Sequence, residues 1–201
     1  SVYFLFFSGY NEKCRDISDK FEHITEADTM GLMIPYKGKR PKVDPSVFIA
    51  PTACVAGNVT IGRDSSIWFG AVVRGDFQPI QIGRCTNIQD NATIHVMGDC
   101  PLSIGSHVII GHNAVIHSRT IGSNTLIGMG AILLGYTEIG DNCIIGAGSL
   151  ITQHKKIPDN SIVYGNPAKI IRALRDDEIE ALRESALAHA ELARAYKAEV
   201  L

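Results

Sequence analysis

A period of six dominates this chain. Aliphatic side chains stand at Ile49, Val55, Ile61, Ile67, Val73, then Ile82, Ile88, Ile94, then Ile104, Ile110, Ile116, then Ile121, Ile127, Leu133, Ile139, Ile145, Ile151, Ile157 and Val163: nineteen successive positions with three slips of phase. A repeat this short cannot bury an apolar face alone, so its copies must stack. The stacked form is a parallel β-helix, in which short strands make the walls of a prism and the aliphatic column fills its axis. The pattern predicts an all-β solenoid over residues 33–170.

Glycine follows the aliphatic residue at Gly62, Gly83, Gly105, Gly111, Gly122, Gly128, Gly140 and Gly146, where the missing Cβ permits close backbone approach. This I-G-x-x-x-x pattern resembles the hexapeptide-repeat family of left-handed parallel β-helices, in which three hexapeptides make one triangular coil. Left-handedness is implied by that resemblance and not by the spacing. Nineteen repeats then make roughly six coils, about 4.8 Å apart.

The flanks read differently. Residues 1–32 share neither the composition nor the period of the hexapeptide region and form an N-terminal extension. Their opening SVYFLFF is too short to span a membrane and lacks the marks of a signal peptide. Beyond residue 170 the period stops, and a C-terminal segment, 171–201, carries one amphipathic helix over Asp176 to Val200. Asp176, Asp177 and Glu178 suit its positive N-terminal end, and Ile179, Leu182, Ala186, Ala193 and Tyr196 make an apolar stripe that packs along the prism or a neighbouring subunit. The 19 basic and 21 acidic side chains cancel, so no global field attracts nucleic acid or an anionic membrane. Five cysteines without CxxC spacing fit reduced thiols in a cytoplasmic protein, with Cys54, Cys85 and Cys143 as packing residues.

Sorting the hexapeptides by threes assigns each to a face. On one face the residue after the aliphatic is glycine in five successive coils: Gly62, Gly83, Gly105, Gly122 and Gly140. On the face before it the same slot holds Ala56, Arg74, His95, His117 and Leu134, so Arg74, His95 and His117 should stack and point outward. The third face carries Trp68, Gln89, Gly111, Gly128 and Gly146, with Asp90 beside Gln89 and His112 beside Gly111. All three slips, the insertions near Asp76–Pro79 and Met97–Pro101 and a deletion near Thr120, fall at the corner after the histidine face and are expected to be loops. His95 and His117, one coil or about 5 Å apart, are within reach of a shared ion. His112 lies on another face, so a symmetric trimer joining His95 and His117 of one chain with His112 of the next would complete a three-imidazole site. His23, His107, His154 and His189 read as ordinary surface residues.

Arg74-Gly75-Asp76, Asn87-Ile88-Gln89-Asp90-Asn91, His95 and Gly111-His112-Asn113-Ala114-Val115-Ile116-His117 together resemble the γ-class carbonic anhydrases and their ferripyochelin-binding-like, or hexapeptide transferase, relatives. The resemblance runs from about Ile34 to the C-terminus and includes Tyr164-Gly165-Asn166-Pro167-Ala168-Lys169. It implies a homotrimer with one zinc, or alternatively ferrous iron or cobalt, at each subunit interface, bound by His95, His112 and His117. It also implies reversible hydration of carbon dioxide to bicarbonate by metal-bound hydroxide. Gln89 would orient the reacting water; Arg74 and Asp76, with Asp90 near Arg74, would form an interface ion-pair network; Tyr164 and Asn166 would line the pocket. One departure points to weak activity: the loops read Phe77-Gln78-Pro79 and Met97-Gly98-Asp99-Cys100-Pro101, without the glutamates that export protons in some members. Export then falls to buffer, to Asp99 or to a group such as His107. The alternatives are an acyltransferase using acyl-CoA, with one histidine as general base, and a non-catalytic scaffold or metal- or siderophore-binding protein.

Overall fold

The computed structural model describes residues 31–200, so all but the last two residues of the 1–32 extension lie outside the described residues. The described residues form a parallel β-solenoid of about 7 turns with a single C-terminal helix, consistent with a left-handed β-helix. All nineteen aliphatic residues of the repeat are buried, the most accessible being Ile157 at 8%. Each is worth about 1.5–3 kcal/mol relative to an exposed side chain.

The histidine face stacks β1 (Leu32–Ile34), the first part of β4 (Cys54–Ile61), the first part of β6 (Val72–Ile82), β8 (Thr93–His95), β11 (Val115–Ile116), β14 (Ile132–Leu133) and β17 (Leu150–Ile151). The second stacks β2 (Lys42–Val43), the later parts of β4 and β6, β9 (Leu102–Ile104), β12 (Thr120–Ile121), β15 (Glu138–Ile139) and β18 (Lys156–Ile157). The third stacks β3 (Phe48–Ile49), β5 (Ser66–Ile67), β7 (Asn87–Ile88), β10 (Ile109–Ile110), β13 (Leu126–Ile127), β16 (Ile144–Ile145) and β19 (Ser161–Gly165).

Two features depart from the sequence expectation. A further coil precedes the column, because β1 and β2 pair with β4 and place Met33 and Val43 against the core at a wider spacing than six. The first insertion is not a loop. Its residues run within β6, and the pairing with β4 shifts register between Gly57 and Val59 to absorb them.

A third difference comes after Val163. Instead of leading into a helix, the chain turns at residues 166–167 and returns as β20 (Ala168–Ala173), antiparallel to β19. The helix α1 (Asp176–Val200) begins after it. Glu178 sits three residues after Arg175 and accepts the Arg175 backbone N–H at 2.9 Å, as the glutamate of a capping box does.

The outward-pointing rows give each face a distinct fate. On the second face the row reads Lys42, Thr60, Gln81, Ser103, Thr120, Glu138 and Lys156, all polar and suited to water. On the third the row reads Phe48, Ser66, Asn87, Ile109, Leu126, Ile144 and Ile162. Helix α1 covers that face: Leu182 and Ile179 pack near Ile162, Leu126 and Ile144, and Tyr196 meets Phe48 and Trp68 with ring centroids 5.9 and 5.0 Å away. On the histidine face the row is Leu32, Cys54, Val72, Thr93, Val115, Ile132 and Leu150, mostly apolar, and no element of the described chain lies over it. Leu32 is 60% exposed, Val115 40% and Ile132 39%.

Candidate metal centre

Parallel pairing sets Arg74 opposite His95 in register, and Ile94 opposite Ile116, which puts His117 on the next coil. The His95 and His117 rings lie 5.3 Å apart between centroids, with an interplanar angle of 35°. Burial, then the neighbouring His95, pushes the His117 imidazole toward its neutral form, against a hydrogen bond to the Val96 backbone that acts the other way. Neutral imidazole is the form that binds a metal ion.

Asp76 faces the same pair. One of its oxygens meets His95 Nε2 at 2.8 Å and the other pairs with Arg74. Burial raises the Asp76 pKa, but the hydrogen bonds with His95 and Arg74 together outweigh it and leave the carboxyl below its usual range. In the single chain Asp76 therefore holds the ring nitrogen that a metal bound through Nε2 would require.

His112 stands at the corner between the third face and the histidine face. Its Nδ1 donates to Asp90 at 2.8 Å, leaving Nε2 as the free lone pair. A carboxylate in this position fixes both tautomer and ring direction and makes the imidazole a stronger ligand. Within the chain Asp90 pairs with His112 and Arg74 with Asp76, and no ion pair joins Asp90 to Arg74 among the described residues. Gln89 is adjacent, its Oε1 accepting the His112 backbone N–H at 3.2 Å and its Nε2 lying 3.3 Å from His189 Nε2.

Among the described residues no group of three His, Cys, Asp or Glu side chains converges within one chain. His95 and His117 make a pair, while His112 keeps 43% of its side-chain surface exposed. The donors nonetheless suit a borderline divalent ion: three imidazoles, with His117 held toward neutrality and His112 fixed through Nδ1.

Within the chain Tyr164, and Asn166 in the turn that follows it, stand apart from this cluster. Tyr164 belongs to the last coil, where its ring lies across Gly146 in space that a Cβ would fill. It is three coils from Gly111, roughly 14 Å at about 4.8 Å per coil. His107 is also elsewhere. It occupies a positive-φ corner position, and both ring nitrogens are buried without a hydrogen-bond partner among the described residues, so it offers no path for proton export from this cluster. Asp99 accepts from the Tyr136 hydroxyl at 2.8 Å, and that ring stacks on His154.

Two contacts escaped the sequence reading. His189 on α1 reaches Gln89 from 100 positions away. An asparagine ladder also runs down another corner, from Asn124 to Asn142 at 2.9 Å and from Asn142 to Asn160 at 3.0 Å, and Asn124 also bonds the Ile179 carbonyl of α1. Its signal was available as asparagine recurring every 18 residues.

Family models for the bacterial transferase hexapeptide (six repeats) and the hexapeptide repeat of succinyl-transferase match residues 120–153 and 101–134. A carbonic anhydrase of Geobacillus kaustophilus is 46% identical over 83% of this chain and 92% of its own length. The mitochondrial gamma carbonic anhydrase 1 of Arabidopsis thaliana is 44% identical over 80% of this chain, which spans only 61% of that protein. Among solved structures, a hexapeptide transferase family protein from Anaplasma phagocytophilum superposes with a TM-score of 0.78 at 38% identity, over 82% of this chain and 98% of that one. With this repeat, these histidines in register and relatives of this similarity, the chain belongs to the γ-class carbonic anhydrase family of hexapeptide-repeat proteins.

Proposed function

We propose that this protein is a metal-dependent carbonic anhydrase that interconverts carbon dioxide and bicarbonate at a site shared between copies of the chain in a homotrimer. The observation that carries the reading is the pairing of His95 with His117 on the uncovered apolar face, while the Asp90-fixed His112 stands exposed at the adjoining corner. The outward row of that face matches the composition of a buried interface. A cyclic arrangement lets His112 of one copy meet the pair of the next.

The ion, zinc in the first instance and ferrous iron or cobalt as alternatives, would be held by His95 and His117 of one chain and His112 of its neighbour. When bound it supplies a Lewis acid that makes a water molecule acidic enough to react near neutral pH. The chain's own residues set the rest. Asp90 directs the His112 ring. Gln89 uses one N–H and one lone pair to anchor itself, which leaves a second N–H and lone pair to orient the attacking water and the carbon dioxide. Arg74 and Asp76 are architectural: a metal on His95 requires Asp76 to release that ring, and the freed carboxylate oxygen, with Arg74 on the other, is then available to a neighbouring subunit.

The experiment is stopped-flow carbon dioxide hydration with protein loaded separately with zinc and, anaerobically, with ferrous iron, using His117→Ala as the blank. Metal-dependent turnover absent from His117→Ala upholds the reading and names the competent ion. Tight metal binding without turnover transfers the site to a binding role or another substrate.

A further inference from the structure

The inward stripe of α1 runs Leu182, Ala186, Ala190 and Ala193, all buried, with the half-buried His189 among them facing the third face of the prism. Its Nδ1 lies 2.8 Å from the Ser185 carbonyl, four residues back on the same helix. A carbonyl only accepts, so Nδ1 carries a proton, and the donor that faces Nε2 calls for a lone pair there. The group facing that lone pair at 3.3 Å is Nε2 of Gln89, which only donates, and the Gln89 Oε1 accepts the His112 backbone N–H at 3.2 Å.

Every link in this chain has one sense. Turning the Gln89 amide over would set its NH2 against the His112 N–H and its oxygen against the His189 lone pair, two repulsive contacts in place of two hydrogen bonds. Protonating His189 at both nitrogens, or moving its proton to Nε2, opposes donor to donor. The orientation of the Gln89 amide is therefore held at both ends, by the His112 N–H and by a residue on the C-terminal helix, although an amide's two ends are nearly equal in shape.

We propose that His189 is a positioning residue: through Gln89 and the His112 main chain, helix α1 sets the direction of the amide group that orients the reacting water. The role assigned to Gln89 rests on the carbonic anhydrase reading; the anchoring of Gln89 and His112 by His189 does not. Its consequence is that the free N–H of Gln89 points where two fixed anchors put it, and loosening one anchor costs turnover rather than metal or assembly.

The test compares His189→Leu, which keeps an apolar side chain of similar reach on the stripe, with His189→Gln, whose amide oxygen can again accept from Gln89. In the metal-loaded protein, His189→Leu should keep its metal content and oligomeric mass, lower kcat by about tenfold with KM little changed, and speed hydrogen exchange at the His112 amide; His189→Gln should restore most of each. Unchanged kcat and unchanged exchange in His189→Leu, or a His189→Gln variant as impaired as His189→Leu, overturns the proposal. In the unsubstituted protein, the 15N spectrum of labelled histidine should show His189 as the neutral Nδ1–H tautomer, and an Nε2–H tautomer also overturns it. If the metal-loaded parent protein does not hydrate carbon dioxide, the anhydrase reading alone fails, and the tautomer and the His112 exchange rates decide the His189 proposal by themselves.

Discussion

Asp90 accepts a hydrogen bond from the Nδ1–H of His112 at 2.8 Å, so the imidazole at the edge of the candidate site presents Nε2 outward with its tautomer already selected. Removing such a carboxylate leaves the ligand in place but frees the ring to rotate and reduces its basicity. Asp90→Ala should bind zinc about 10–100-fold more weakly than the parent protein while keeping its fold. Competition titration against a chromophoric chelator measures this, and an unaltered affinity would remove Asp90 from the site.

Sharing the site between chains has an arithmetic consequence. In trimers mixed from His112→Ala and His117→Ala chains, every mixed ring contains one junction at which an intact His95–His117 pair meets an intact His112. Each mixed trimer should therefore regain one metal ion, whichever variant is in the majority, while the pure variants bind none tightly. Metal analysis on tag-purified mixed trimers checks this, and mixed rings without metal would sink the shared-site arrangement.

The uncovered apolar row makes a third prediction. Ile132, 39% exposed in the single chain, stands in the row between Val115 and Leu150. Ile132→Glu would bury an unpaired charge in an assembly but costs the isolated solenoid little. It should shift the protein from trimer to monomer by light scattering with its circular dichroism intact, whereas Lys156→Glu on the water-facing row should leave the trimer whole. An Ile132→Glu trimer of normal stability would show that this face is not the interface.

The start of α1 titrates. Hydrogen bonds from Arg172, at 2.7 Å to each oxygen, and then the Arg175 N–H hold the Glu178 carboxyl at about 2 against an ordinary 4.5. A depressed folded-state pKa means that the stabilisation is complete above 4.5, declines below it and is lost as pH falls through about 2. Thermal melts across this window should show the parent losing more stability than Glu178→Gln, which has no such carboxyl to protonate. Parallel losses in the two proteins would refute the assignment.

The axial column and the stacking of Arg74, His95 and His117 were legible in the sequence because a solenoid turns sequence period directly into spatial register. Paired residues 17 to 22 apart become neighbours, and counting by six finds them. Contacts that leave the lattice were not legible in that way. Gln89 and His189 meet across 100 positions through the docking of a helix whose period is 3.6; His189, read from the sequence as a surface residue, is half-buried on the inward stripe, three residues after Ala186 and four before Ala193. The pairing of Asp90 with His112 depends on a side-chain rotamer, which spacing does not specify. The insertion at Asp76–Pro79 was expected as a loop because a phase slip shows only that residues were added. A strand can take up such residues by shifting register against its neighbour.

The return strand β20 gives the prism two unlike ends. A solenoid of parallel coils is an open template at its last turn, where another copy could continue all three walls by simple addition. Here β17 and β18 still run parallel to their neighbours, but beside β19 the chain direction is reversed. A second molecule arriving end-on would have to match parallel strands on two walls and meet an antiparallel strand on the third, which no single coil of this repeat can do. Growth along the axis is frustrated at this end of each chain, and the proposed lateral association through one face and its adjoining corner would close into a ring of fixed number instead of a fibre.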